Sequence, residues 1–464
     1  MLRSIIFTLT LTAALFASGV FAQDVTSQNG VTATRGNTSI AVRWTNTCKV
    51  CSWQLSTKGQ GNNDPTISIV RPRGTTRYTI TGLLPGQEYS INMAAKRAGR
   101  WVNRALLTVT TLAIPPSGSW TPTNVDATLS FASYLTSSSS EVALAGLDNN
   151  LKAFVGLCNP ELILSDCKAA NTGLNVPTVI NAPDALQYAP DGNLYGMFTY
   201  SVAELDNPSQ TLIKKLPLPP APLSWIAFKG FAGVSLSLDV TSTGVLTGST
   251  FTLCVGPGGT RCQTHGAVDF YDPNGVRIKS NINFDASSLT AVAYDGQGTT
   301  YVGGLDYPTD TQNQPFASFW RWDRTAPLGQ NFIKIPMPVV VTSITDMISD
   351  GHGVVYIAGV DIMNNGKVWK YKNGVVTDTG LAAFQVTALD YSTNGGYLIA
   401  GGQDNVNYNG QVWYYNPQTT SWTSLGVPGA SVIVNVANNS VLKKVYAVGK
   451  DNAIAMASTV WTYQ

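Results

Sequence analysis

Gly396-Tyr397-Leu398-Ile399-Ala400-Gly401-Gly402, then Val412-Trp413-Tyr414-Tyr415-Asn416-Pro417, then Ser421-Trp422 is the stretch that decides the fold. It reads as an apolar strand ending on two glycines, an aromatic strand closed by an Asn-Pro turn, and a short third strand. Its parts recur. Val142-to-Asp148, Tyr301-to-Asp306, Tyr356-to-Asp361, Leu398-to-Asp404 and Tyr446-to-Asp451 share an apolar strand, a glycine and a terminal aspartate. Aromatic strands follow the last four: Phe319-Trp320-Arg321-Trp322, Val368-Trp369-Lys370-Tyr371, Val412-to-Tyr415 and Val460-Trp461-Thr462-Tyr463.

A repeat of about 40–55 residues fits one four-stranded antiparallel sheet per copy. One such sheet cannot bury both faces, so the copies must stack around an axis, with Gly and Ala near the crowded centre and aromatics in the wider outer gaps. The expected architecture is therefore all-β: a seven-bladed β-propeller over 119–464, with blades at 125–181, 182–228, 229–284, 285–340, 341–383, 384–430 and 431–464. Residues 396–426 resemble a kelch repeat, with the double glycine, Tyr415 and a tryptophan seven residues later, Trp422. The other blades are degenerate. The last blade has only three strands before Gln464, and Ser119-Trp120-Thr121-Pro122 mimics Ser421-Trp422-Thr423-Ser424. Residues 118–124 are thus expected to pair beside 459–463 and leave no open edge. The preceding module would then sit at the outer rim of that blade.

Residues 1–22 read as a cleaved secretory signal. Arg3 is followed by an apolar stretch from Ile5 to Leu15, and Val20-Phe21-Ala22 precedes a cut near Gln23. No later segment is apolar enough for a membrane span, so a secreted protein, extracellular or periplasmic, is expected. Six cysteines fall in three close pairs, Cys48/Cys51, Cys158/Cys167 and Cys254/Cys262, which suits short disulfides in an oxidising compartment. A redox or zinc role for Cys48-x-x-Cys51 is the alternative. The helix that follows a redox CxxC is missing, and the histidines number two, His265 (read as a loop residue) and His352.

Residues 24–113 alternate as half-buried strands do. Trp44 ends one strand, Leu83-x-Pro85-Gly86-x-x-Tyr89 forms a corner, and Leu107-to-Thr111 closes the module. On these features the module resembles a fibronectin type III domain, which implies a β-sandwich. The Cys48/Cys51 pair departs from that pattern. Residues 114–118 form a stiff Pro-containing linker. Eleven basic and three acidic residues give this module a net +8, whereas 114–464 carries 17 basic and 24 acidic, a net −7. Its basic patch, Arg71, Arg73, Arg77, Lys96, Arg97, Arg100 and Arg104, is a solvated surface, docks on the acidic half of the chain, or meets an anionic partner. No nucleic-acid motif accompanies it, so the expected partner is a protein or polysaccharide.

Catalytic material is sparse. Beyond residue 113 there are three glutamates, four arginines and the two histidines, and the Asp-box motif that goes with a sialidase-type arginine cluster is absent. No metal or cofactor motif is present, and none is expected. One constellation stands out: Asp148, Asp306, Asp361, Asp404 and Asp451 share a position after the second strand. They either converge on the propeller mouth or cap their own loops through backbone hydrogen bonds. Tyr307, Phe316 and Tyr408 lie in the same loops and either contact a ligand such as a sugar ring or pack within their loops. The reading favours a non-catalytic exported binding or adhesion protein. The alternatives are a carbohydrate-active hydrolase or lyase, and a structural subunit of a surface assembly.

Overall fold

The structure is a computed structural model and describes residues 24–28, 30–45, 51–59, 67–97, 100–124, 129–138, 140–148, 153–161, 167–170, 183–200, 210–216, 226–227, 231–232, 234–255, 261–306, 316–327, 330–451 and 458–464. The expected signal segment, Tyr307 and Cys48 lie outside them. All regular elements among the described residues are strands. No helix there is long and apolar enough to cross a membrane.

The N-terminal strands form two antiparallel four-stranded sheets. One joins Asp24–Gln28, Val31–Arg35, Ser39–Trp44 and Arg77–Thr81; the other joins Ile67–Arg71, Ser52–Gly59, Glu88–Arg97 and Arg100–Thr110. Alternation sends Ile40, Val42 and Trp44 from one sheet, and Trp53, Leu55, Tyr89 and Ile91 from the other, into one core. The Trp44 and Trp53 rings meet across it at 5.6 Å. At the corner, the Tyr89 hydroxyl accepts the Leu84 N–H at 2.8 Å, locking the turn before Pro85-Gly86.

From residue 129 onward, four-stranded antiparallel meanders follow one another. Ala383–Ser392, Tyr397–Asp404, Gly410–Asn416 and Ser421–Ser424 form one of them. The first strand of each meander lies against the first strand of the next, and Ala430–Asn439 of the last lies against Leu129–Ser137 of the first. Such a cyclic stack is a β-propeller. The third-strand tryptophans explain the stacking. Trp320, Trp369, Trp413 and Trp461 are all buried, and each packs into the apolar layer shared with the preceding blade. Glycines do the complementary work on the second strand. A side chain on Gly401 would strike Ile433 and Val436 of the next blade, and one on Gly402 would strike the Gln385 carbonyl of its own first strand.

The pairing expected at the end of the chain is present. Trp120–Asn124 runs antiparallel to Ser458–Tyr463, with Trp120 opposite Tyr463 and Pro122 opposite Trp461. Proline fits there because the strand is outermost and its missing N–H faces no neighbour. The module's position differs from expectation. The linker does meet this outer edge, through hydrogen bonds between Ser119 and Gln464, but the module rests on the two preceding blades. The Ile114 N–H donates to the Gly395 carbonyl at 2.7 Å. Gln418 binds the backbone at the end of the module with both ends of its amide, accepting from Ala113 N–H at 2.7 Å and donating to Thr111 O at 2.5 Å. Lys372 pairs with Glu88 at 3.2 Å. The four residues between Thr110 and Pro115 form a connection too short and too well hydrogen-bonded to let the module swing outward.

Cys158 and Cys167 form a disulfide. Cys51 is disulfide-bonded as well, and its expected partner Cys48 lies outside the described residues. Cys254 and Cys262 face each other in register on neighbouring strands; their side chains lie outside the described ones. His265 is a correction: it sits within strand Arg261–Tyr271, buried and edge-on to Phe284 at 5.2 Å, not in a loop.

Candidate functional site

Two of the loop-face aspartates spend their carboxylates on their own turns. Asp361 Oδ1 accepts the N–H groups of Met363 and Asn365 at 2.8 and 2.9 Å, and the Asn365 side-chain amide reaches both oxygens. Asp404 Oδ1 accepts from Val406 and Asn407 at 2.8 and 2.7 Å, and Oδ2 accepts from Asn409 at 3.2 Å. Partial burial pushes the Asp404 carboxyl up, but these amides outweigh it and hold the group below its ordinary value. Asp306 differs. Its Oδ2 takes Ser318 Oγ at 2.8 Å and Lys334 Nζ at 2.9 Å, while Oδ1 is buried without a hydrogen-bond partner among the described residues. Asp451 lies alongside Gly429. The side chain of Asp148 falls outside the described ones. The Phe316 carbonyl closes the base of its loop by accepting the Asp306 N–H at 2.6 Å, with the Phe316 ring half-buried.

Loops stiffened in this way hold apolar side chains in water. Met363 is 75% exposed, Val406 76% and Tyr408 56%. Val339, Val340, Ile362 and Phe384 are exposed as well. The Ile362 N–H donates to Val340 O, and Phe384 meets Tyr408 edge-on at 4.8 Å. Tyr408 has φ of 55°, a left-handed conformation that a tyrosine adopts at a cost of about 1 kcal/mol. Tyr408 is thus an exposed aromatic held in a strained backbone, with the exposed Phe384 ring against it. Of the sequence-predicted face residues, Tyr408 is exposed with Phe384 packed against it, and Ile362 and Met363 are exposed on the preceding blade. Ile362 and Met363 gave no signal in the sequence because an apolar residue in a turn carries no period, and Phe384 reads as an ordinary strand position.

On the N-terminal module, Arg73, Arg77, Lys96 and Arg100 are exposed, and Arg71 is half-buried with its guanidinium 4.0 Å above the Tyr78 ring. The side chains of Arg97 and Arg104 lie outside the described ones. Lys96 Nζ lies 5.6 Å from the exposed Trp101 ring. None of the five described cations forms an ion pair with the propeller among the described residues. The module docks through the opposite chemistry: a glycine corner, backbone groups and its acidic Glu88.

A third group of polar residues was missed in the sequence. Gln187, Asp239 and Asp390 occupy equivalent places on first strands. Each accepts the matching N–H of the next blade: Val240 at 2.9 Å, Tyr294 at 2.6 Å and Asn438 at 2.5 Å. Asp346 and Asn435 do the same one step earlier, towards Leu389 at 2.7 Å and Leu135 at 3.3 Å. Thr290, Thr345 and Thr387 sit on bulges and donate to Ile344, Val386 and Ile433 carbonyls at 2.7–2.8 Å. The bulge frees a side chain from the ladder and aims it sideways. These groups lace the innermost strands together around the axis. Burial pushes the carboxyls of Asp346 and Asp390 up to about 7, each raised further by another aspartate, and raises Asp239 too.

No protein-family model matches the sequence, and no curated protein matches it. Among solved structures, the chain is similar to the β-propeller domain of the Trilobed protease from Pyrococcus furiosus. Identity is 12%, the match covers 72% of this chain and 95% of that one, and the TM-score is 0.48.

Proposed function

We propose that this is an exported, non-catalytic binding protein. A fibronectin type III-like module at 24–113 is joined by residues 114–118 to a seven-bladed, kelch-like propeller at 119–464. The module's basic strip engages an anionic polysaccharide or acidic surface, and the propeller's loop face offers Tyr408 and its apolar neighbours to a second contact. One observation carries this reading. The module docks on the propeller through Glu88, Gly86 and linker backbone groups, so Arg73, Arg77, Lys96 and Arg100 remain outward and free of the acidic half of the chain. An intramolecular role for the positive charge would place those cations against the propeller carboxylates. Arginine and lysine beside exposed tryptophan and valine suit a sulfated or carboxylated polymer, which offers both charge and sugar faces.

The test uses the mature chain on immobilised heparin. Retention at low ionic strength and release at moderate salt are expected, because exposed charges are screened over about 8 Å at 0.15 M. The quadruple change Arg73→Gln, Arg77→Gln, Lys96→Gln, Arg100→Gln should abolish retention. Retention that ignores both salt and these substitutions would overturn the proposal.

A further inference from the structure

Near the docked module, two successive blades splay apart and leave an open groove of about 430 Å³. Lys370, Lys372, Thr377, Asp378 and Thr379 wall it on one blade, Tyr415 and Thr420 on the next, and the Asp378 carboxylate is taken up by Lys367 at 3.2 Å. Strand alternation puts the lysines there. Val368, Lys370 and Lys372 share the face of Gly366–Lys372 that looks toward the next blade, and Val368 is buried with Tyr356, Leu398 and Tyr415. Farther from the axis the gap widens beyond what apolar side chains fill, and the same face turns cationic.

The two ammonium groups are not equally satisfied. Lys372 pairs with Glu88 of the module at 3.2 Å. Lys370 is half-buried, and its ammonium has no hydrogen bond or ion pair among the described residues. Burial lowers its pKa and Lys372 lowers it further, opposed by the charges of Asp350 and Glu88. The Tyr415 hydroxyl also has no hydrogen-bond partner among the described residues, although its ring is packed edge-on to Tyr356 and against Trp422. A half-buried cation left without an acceptor costs free energy that a bound anion recovers.

We infer that this groove is a binding site for a carboxylated sugar residue. The ligand's carboxylate meets the Lys370 ammonium, and its hydroxyls meet Tyr415, Thr377 and Lys372. A bare inorganic anion would leave most of the groove empty, whereas its volume and ring of hydroxyls suit a pyranose. The site shares the anionic-glycan theme of the proposed function but none of its residues. It therefore stands or falls separately: loss of heparin retention in the basic-strip variant leaves this site intact.

The experiment titrates the full mature chain with glucuronate, glucose and inorganic sulfate, following binding by calorimetry. Glucuronate is expected to bind at least tenfold more tightly than glucose or sulfate. Lys370→Gln should weaken it about tenfold, while Lys370→Arg, which keeps the charge, should stay within about threefold of the parent. Lys370 is half-exposed, so both variants should melt like the parent. Equal binding of glucose and glucuronate would overturn the charge assignment, equal binding of sulfate would overturn the sugar, and unchanged affinity in Lys370→Gln would overturn the site.

Discussion

Gly86 of the N-terminal module and Gly396 of the propeller press backbone to backbone: a side chain on either would overlap the other's Cα. Both have left-handed φ, 67° and 69°, so glycine is required twice over, for conformation and for contact. Gly396→Ala should cost about 1 kcal/mol from φ alone and should also force the module off its seat. Gly374, with φ of 87° and nothing near its missing side chain, separates the two effects. Gly374→Ala should lower the melting temperature without changing shape. Gly396→Ala should lower it and raise the radius of gyration in small-angle scattering. An unchanged radius would show that the contact does not hold the module.

The laced inner strands make stability depend on pH. Asp346 and Asp390 have folded-state pKa values of about 7, well above the 3.9 or so of an unfolded aspartate. Between those values the folded state binds protons that the unfolded state has released. Stability from this source is present in full below about pH 4 and is lost as pH rises through 7. Thermal melting should therefore fall between pH 5 and pH 8. Asp390→Asn should flatten that slope, and it should cost about 1 kcal/mol at pH 5 because one oxygen no longer accepts an amide. Asn435 already fills the matching role with one oxygen, accepting Leu135. A slope of the same steepness in Asp390→Asn would remove the aspartates from the explanation.

How far the sequence reveals this molecule depends on the range of the signal. The third-strand tryptophans, the corner at Leu83-to-Tyr89 and the pairing of Trp120 with the last strand are written in short periods and turns. Those are local consequences of alternation, and they were readable. The lacing was not. Asp346 and Asp390 look like ordinary polar positions on alternating strands, and only the bulges at Ile344/Asp346 and Val386/Ala388 turn them toward the next blade. Aligning Ile344-Thr345-Asp346 with Val386-Thr387-Ala388 would have exposed the repeated threonine, but not its partner. The seat of the module was equally hidden, since Gln418 and Gly396 meet residues some 300 positions away. The Asp after each second strand was visible as a repeat, yet its chemistry diverges with the loop that follows.

Closure by the outermost strand gives a large and local prediction. Trp461 is fully buried among Tyr397, Ile399, Val412 and Val445, with Pro122 as its partner on the added strand. Trp461→Ala should cost about 3–5 kcal/mol and expose the linker at 114–118 to proteolysis before the rest of the chain. A melting temperature within a few degrees of the parent would mean that the last blade contributes little to the ring.

Tyr408 offers a test in which stability and binding part company. Replacing it with glycine relieves about 1 kcal/mol of left-handed strain and forfeits an edge-on contact with Phe384 of about 0.5–1.5 kcal/mol. These nearly cancel, so Tyr408→Gly should melt within about 2 °C of the parent for a chain of this size. Asp404, by contrast, holds three amides of the same loop, and Asp404→Ala should loosen it, with faster hydrogen exchange confined to 404–410. If the loop face binds a partner, both variants lose affinity, but for different reasons. Tyr408→Gly removes the contact and raises the dissociation rate. Asp404→Ala leaves Tyr408 in place and slows association, because the loop must first be ordered. Identical kinetics in the two variants would mean that the ring and its backbone act as one unit, and would reassign Tyr408 from contact residue to loop anchor.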